Sequence, residues 1–307
     1  MKKLKILIPS LIATTSMPFI SLTSCELFES KKVKHTITFS AGDHGTIEEG
    51  KETIVVEGDK TKFGDIEKPT VTADEAHGWF FDHWDYDDSY EIKDDVTVTA
   101  LYQDLSDYVI DLDNIESILG MEGVEYMQLD GTEIISGDPT DNELHITNQN
   151  QIIFSPTVCH TTQIMEMNNH NYDSYLETFI YEQIESINDP VYLQILRSSP
   201  QGSFSDPAEV PSSQFNTPAK YGSNMLLKSY QLFLSYEGKL TFDTNNLCYK
   251  GEVGDPDSSF YMAIEYYFNK NQLVQNKIHI IADTINTNDD TIEQTFTYEQ
   301  VTPDVPV

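Results

Sequence analysis

Three cysteines and eight histidines are the first places to look for nucleophilic or metal chemistry, and their spacing narrows it. Cys159-His160 sets a thiol beside an imidazole. Neighbours in a strand point to opposite faces, so the two do not naturally touch, and a buried thiol beside a ring on the polar face is the expected arrangement. His160, Glu166 and His170 follow no established metal-ligand spacing. The stretch 82–88 carries several aspartates but not in the order of an EF-hand loop, and reads as a solvated acidic loop. The chain has no Gly-rich phosphate loop and no Gly-x-Ser-x-Gly elbow. Among 51 acidic residues, carboxylate pairs arise by chance and single out no glycosidase dyad. No catalytic residue, metal ligand or cofactor is therefore expected. Cys159 and Cys248 form either one disulfide, worth about 4–5 kcal/mol in the chain-entropy model, or two buried thiols, and the spacing does not choose between them.

The third cysteine differs. Cys25 ends the run Ser21-Leu22-Thr23-Ser24-Cys25, after the basic residues Lys2, Lys3 and Lys5 and an apolar stretch broken by Pro9 and Pro18. A bilayer-spanning helix needs about 20 unbroken apolar residues, so 1–24 reads as a signal peptide. An aliphatic residue at −3, a small residue at −1 and then a thiol resemble the lipobox of bacterial lipoproteins. The resemblance implies that Cys25 receives a diacylglyceryl group, becomes the mature N-terminus and holds the chain to the outer side of the cell membrane. One acyl chain, at about 0.8 kcal/mol per buried methylene, binds only marginally, whereas two anchor stably.

The formal net charge of −33 repels phosphate backbones and argues against nucleic acid as a partner. Lys31, Lys32 and Lys34 lie beside the anchor, where they face lipid headgroups or simply solubilise the polar tether 25–34. Arg197 is the only arginine, while Asn, Ile, Lys and Tyr abound. That composition suggests an AT-rich coding bias and hence a low-GC bacterium.

The expected fold class is mainly β, within α+β: a small β-grasp-like domain at 35–103, then a larger antiparallel β-rich domain at 104–307 with one packed helix. In the first, strands are predicted at 36–39, 53–57, 79–84 and 96–102, with a turn of helix within 60–66. Phe80 and Trp84 fall on one strand face and are expected in the core, and Gly45 and Gly58 suit turns of positive φ. In the second, a short helix is predicted at 114–119, and strands at 124–129, 151–154 and 191–196. Tyr172, Tyr175, Leu176, Phe179, Ile180 and Ile184 give an apolar stripe at helical spacing, so the packed helix is placed at 172–187. Residues 198–224, with four prolines, read as an exposed excursion. A meander follows, from strands at 229–236 and 239–243 to a last strand at 292–301, although 225–233 fits a helix equally well.

Within 35–103 the segments His44-Gly45-Thr46-Ile47, Val56-Glu57-Gly58-Asp59, Lys68-Pro69-Thr70-Val71, Phe80-Phe81-Asp82-His83-Trp84 and Asp94 to Tyr102 resemble the B-repeat of internalins, also called the Listeria–Bacteroides repeat. The resemblance implies a β-grasp fold and a spacer or interaction role on a bacterial surface. His83 stands where that family usually has glycine, and only one copy is present, which makes a poor long stalk.

Seventeen tyrosines cluster at Tyr172/Tyr175, Tyr230/Tyr236 and Tyr261/Tyr266/Tyr267. Tyrosine suits binding surfaces, and it equally fills strands and cores. Together these features lead to a non-enzymatic surface lipoprotein that binds or adheres to a protein, glycan or lipid ligand. A lipid carrier with a half-barrel cup and an extracellular hydrolase are the alternatives.

Overall fold

The computed structural model describes residues 33–58, 60–136, 145–167, 172–183, 191–257, 260–283 and 287–306. Cys25, the leader and His170 lie outside these residues. The protein is a β-rich α+β chain, with a small mixed sheet followed by a large antiparallel one.

The small sheet contains β1 (Lys34–Ser40), β3 (Thr53–Glu57), β5 (Trp79–Trp84) and β6 (Val96–Asp104), in the order β3-β1-β6-β5. β1 and β6 run parallel at its centre and the outer pairings are antiparallel, which is the strand arrangement of a β-grasp. The short strands β2 (Gly45–Ile47) and β4 (Val71–Ala73) pair beside it. Alternation along β1 and β6 sends Ile37, Phe39, Val98 and Ala100 inward against Phe63, Trp84 and Ile92. The predicted turn of helix is a 3-10 turn at Phe63–Asp65.

Two expectations here need correction. The pairing of β5 with β6 shifts between Phe81 and His83, so an extra residue reverses the strand's faces. Trp84 stays in the core, and Phe80 instead meets Phe242 of the larger domain, ring centroids 5.2 Å apart. Gly58 does have φ 97°, but Gly45 is not at positive φ. A Cβ at 45 would press on the Tyr102 hydroxyl and on the Thr72 carbonyl oxygen, so glycine serves close packing there.

The larger domain begins with α1 (Ile115–Leu119), then β7 (Met127–Ser136), β8 (His145–Phe154), β9 (Val158–Met167), β10 (Tyr172–Gln183), β11 (Val191–Arg197) and β12 (Ala208–Val210). Helices α2 (Pro218–Asn224) and α3 (Leu226–Ser235) follow. The chain ends through β13 (Thr241–Asp243), β14 (Cys248–Gly254), β15 (Phe260–Asn269), β16 (Gln272–Asp283) and β17 (Thr287–Thr297). The sheet order is β12-β11-β10-β9-β8-β7-β17-β16-β15-β14-β13, with every pairing antiparallel. Two meanders therefore meet at β7 and β17, and α2–α3 carry the chain from one outer edge to the other.

That crossover decides which face is covered. Leu226, Tyr230 and Phe233 recur at helical spacing and are buried on the inner side of α3. They pack on Met262, Ile264, Tyr266 and Phe268 of β15, with Met127, Leu129, Phe154 and Phe296 in the same core. The helical reading of 225–233 is the one adopted, and the strand predicted at 229–236 is not formed.

The helix predicted at 172–187 is not formed over the residues described, because 172–183 is β10. Its apolar residues serve two faces of a strand. Ile180 packs with the main core, while Phe179 joins Val158 and Ile195 in a satellite cluster on the opposite face, with Tyr181, Phe204 and Val305 against it. Apolar side chains on both faces produced hits at three- and four-residue spacing without a helix.

The excursion expected at 198–224 is mostly exposed over 201–214, but it is ordered and tied down at its ends. β12 pairs with β11, α2 starts at Pro218 under a Thr217 side-chain cap, and Phe215, Pro218 and Tyr221 are buried. The disulfide alternative also falls. Cys159 on β9 and Cys248 on β14 are free and buried, six strand positions apart in the sheet, while a bridge needs Cα atoms within about 7 Å. Among the described residues no helix is long and apolar enough to cross a membrane.

Candidate functional site on the open sheet face

With the helices on one side, the outward positions of β16, β17, β7, β8 and β9 form a trough of about 510 Å³. Its walls carry Gln275, then Glu293 and Thr295, Asp130 and Thr132, Gln149 and Gln151, and Thr162 and Ile164. Five consecutive strands line one depression, so the sheet is concave there. The lining is amide, hydroxyl and carboxylate, with one aliphatic side chain, Ile164.

The carboxylates are partly engaged. Asp130 accepts from Gln151 Nε2 at 2.7 Å and from Gln128 Nε2 at 3.0 Å. Glu293 faces Lys277 at 3.4 Å. The Gln151 and Lys277 contacts follow from the register, because Asp130 lies opposite Gln151 and Lys277 opposite Glu293.

At the β9 wall the trough meets a buried polar cluster. Glu177 on β10 lies between Thr162 of β9 and Arg197 of β11. Its carboxylate accepts from Arg197 Nε at 2.6 Å, Tyr175 Oη at 2.6 Å and His160 Nε2 at 3.0 Å. Burial would raise the Glu177 carboxyl, but hydrogen bonds from Tyr175, Arg197 and His160 outweigh it and hold the group below its ordinary value. The ionised carboxylate only accepts, so His160 Nε2 carries the proton. Burial lowers the His160 imidazole from its ordinary value, and Glu177 offsets only part of that. The ring stacks on Phe179 with centroids 4.0 Å apart, and the Arg197 guanidinium lies 4.8 Å from the Phe204 centroid.

Chemically, this cluster is a clamp. Three donors occupy Glu177, which leaves it poorly placed to take a substrate proton. Cys159 and His160 point to opposite faces as expected, since Cys159 packs in the main core and His160 bonds Glu177 outside it. Burial pushes the Cys159 thiol up to about 12, away from nucleophilic thiolate chemistry. Glu166 lies on β9, away from these bonds. In the acidic loop, Asp85 accepts from Thr99 N, Asp87 from Ser89 and Asp88 from Lys68, so its carboxylates serve local donors. Of the tyrosines, Tyr230 and Tyr266 are core residues, Tyr175 belongs to the clamp, and Tyr236 is exposed and stacked on Phe260.

Sequence reasoning missed the trough. A signal was present in the period-two pairs Asp130/Thr132, Gln149/Gln151 and Glu293/Thr295, but 145–150 and 158–167 were not read as strands. Glu177 was hidden inside the expected helix.

No family model matches the chain, and no curated protein matches it. Among solved structures, a DUF1329 family protein from Desulfovibrio piger is similar over 64% of this chain and 96% of that chain, with 10% identity and a TM-score of 0.21. A likeness of that strength carries no argument about fold or activity.

Proposed function

We propose that the protein is a surface lipoprotein, anchored through Cys25, that binds a polar ligand non-enzymatically in the trough on its open sheet face. The observation that carries this reading is the contrast between the two faces of one sheet. One is filled by α1–α3 and apolar side chains, and the other is concave, uncovered by helices and lined by Asp130, Gln149, Gln151, Thr162, Gln275 and Thr295. A hydrophobe carrier calls for an apolar cup, so this lining favours a polar ligand. The hydrolase alternative draws no support from the thiol or the imidazole, for the reasons given by Cys159 and Glu177. The run ending at Cys25 supports attachment outside the cytosol. The module at 35–103, by its likeness to the B-repeat, serves as a spacer between bilayer and binding domain.

Two measurements test the proposal. Labelling with radioactive palmitate is expected to mark the chain and not its Cys25→Ala variant, and equal labelling refutes the anchor. Solid-phase binding to immobilised extracellular glycans and proteins is expected to fall at least about tenfold in a Gln149→Ala/Gln151→Ala/Gln275→Ala variant that melts like the parent, because each amide contact is worth about 0.5–1.5 kcal/mol. Undiminished binding moves the site elsewhere.

A further inference from the structure

The strand register arranges the trough as two rows of side chains that run across the strands. In the first row Gln275 of β16 lies opposite Thr295 of β17, Thr295 opposite Asp130 of β7, Asp130 opposite Gln151 of β8, and Gln151 opposite Thr162 of β9. The second row lies two residues away along each strand and is made by Lys277, Glu293, Thr132, Gln149 and Ile164. Neighbouring strands are about 4.8 Å apart and same-face residues about 7 Å apart along a strand, so the rows run side by side for about 19 Å. Every side chain of the first row is polar, and its amides and hydroxyls both donate and accept. Asp130, Thr132, Gln149, Gln151, Glu293 and Thr295 are exposed.

We propose that the ligand of this trough is a neutral linear oligosaccharide lying across the strands, an inference that rests on the trough being the binding site. Charge excludes the acidic sugars. The lining holds the carboxylates of Asp130 and Glu293 and no cationic side chain, so a sulfated or sialylated chain is repelled. A polycation gains little, because Glu293 already faces Lys277 at 3.4 Å. Asp130 accepts one amide at each oxygen, from Gln151 and Gln128, and each oxygen keeps a lone pair for a ligand hydroxyl. Shape favours rings over an extended peptide. Same-side groups of a peptide recur about every 7 Å, out of step with rungs about 4.8 Å apart. A sugar ring carries hydroxyls on both edges, so it can reach both rows at once, and the next ring repeats the contact. Among the described residues the lining offers one aliphatic side chain, Ile164, and no aromatic ring, so recognition is by hydrogen bonds.

The test applies the full chain to a printed array of neutral tetrasaccharides (β-glucan, chitin, mannan and poly-N-acetyllactosamine fragments), their sulfated and sialylated counterparts, oligolysine and uncharged tetrapeptides. The unaltered protein is expected to bind one or more neutral tetrasaccharides, to bind the matching disaccharides less, and to ignore the anionic counterparts. Gln149→Ala/Gln151→Ala, changed at two exposed positions, is expected to weaken that binding about tenfold or more. Gln149→Lys is expected to bring anionic counterparts onto the surface, which a merely structural role of Gln149 would not do. Binding confined to anionic sugars, to oligolysine or to the tetrapeptides, and lost in the double variant, overturns the neutral oligosaccharide while leaving the trough as the site. Neutral-sugar binding that the double variant does not weaken overturns both. Binding of no neutral oligosaccharide overturns this inference, and that comparison needs only the unaltered protein.

Discussion

The only arginine in the chain, Arg197, donates Nε to Glu177 Oε2 at 2.6 Å across the β10–β11 pair. Tyr175 and His160 donate to the same carboxylate. One acidic side chain thereby holds three strands of the open face in register, directly beside the trough. Replacing Glu177 with alanine strips three donors of their acceptor. Equilibrium denaturation is expected to show a loss of about 1–3 kcal/mol, and an unchanged midpoint would mean that water satisfies the donors as well as the carboxylate does.

The clamp also sets a pH dependence. Glu177 is held below its ordinary value of 4.5, so its contribution is complete above that pH and fades as pH falls through the folded value. His160 is held below its ordinary 6.5 by burial. Below pH 6.5 the unfolded chain therefore takes up a proton that the folded one resists, and stability declines on acidification. Both effects point the same way. Titration followed by NMR should place the His160 midpoint below 6.5, and His160→Gln should flatten the stability profile just below that pH. A midpoint at or above 6.5 contradicts the balance of burial over the Glu177 charge.

Cys159 and Cys248 are buried and separate. Ellman's reagent is expected to titrate neither at pH 8 in the native protein and both after unfolding without reductant. Mobility on denaturing gels should be the same with and without reductant. A reductant-dependent shift would restore the disulfide that the strand order rules out.

Phe233 is fully buried at the point where α3 meets the sheet, with its ring against Gly238 and Gly251. Phe233→Ala is expected to cost about 3–5 kcal/mol, read from urea denaturation. Gly251→Ala should also destabilise, because its new methyl would press on the same ring and on the Lys239 carbonyl. A small effect from both would mean that the α3 contact is loosely packed.

Much of the fold was legible along the chain where one face of a strand is apolar and the other polar. β1, β6 and β15 alternate cleanly, with Ile37/Phe39, Val98/Ala100 and Met262/Ile264/Tyr266/Phe268 inward. The pattern failed where burial is two-sided. β10 sends Ile180 to one core and Phe179 to another, and so imitates a helix. It failed again at Phe80, because a one-residue bulge reverses the faces and leaves little trace in composition. The trough was not legible because its residues are 165 positions apart at the extreme, from Asp130 to Thr295, and each alone is an ordinary polar strand residue.

The sequence by itself determined the β-rich character, the split between a small aromatic-cored module and a larger sheet, and the pairing of a buried thiol with an imidazole on the other face. These follow from local alternation and composition, which any strand must obey. Only the tertiary structure decided which strands are neighbours, and therefore which side chains meet. The passage of α2–α3 from one outer edge of the sheet to the other covers one face and leaves its opposite concave and polar. That choice depends on long-range pairing, above all β7 with β17, whose contacts join residues more than 150 positions apart, such as Asp130 and Thr295.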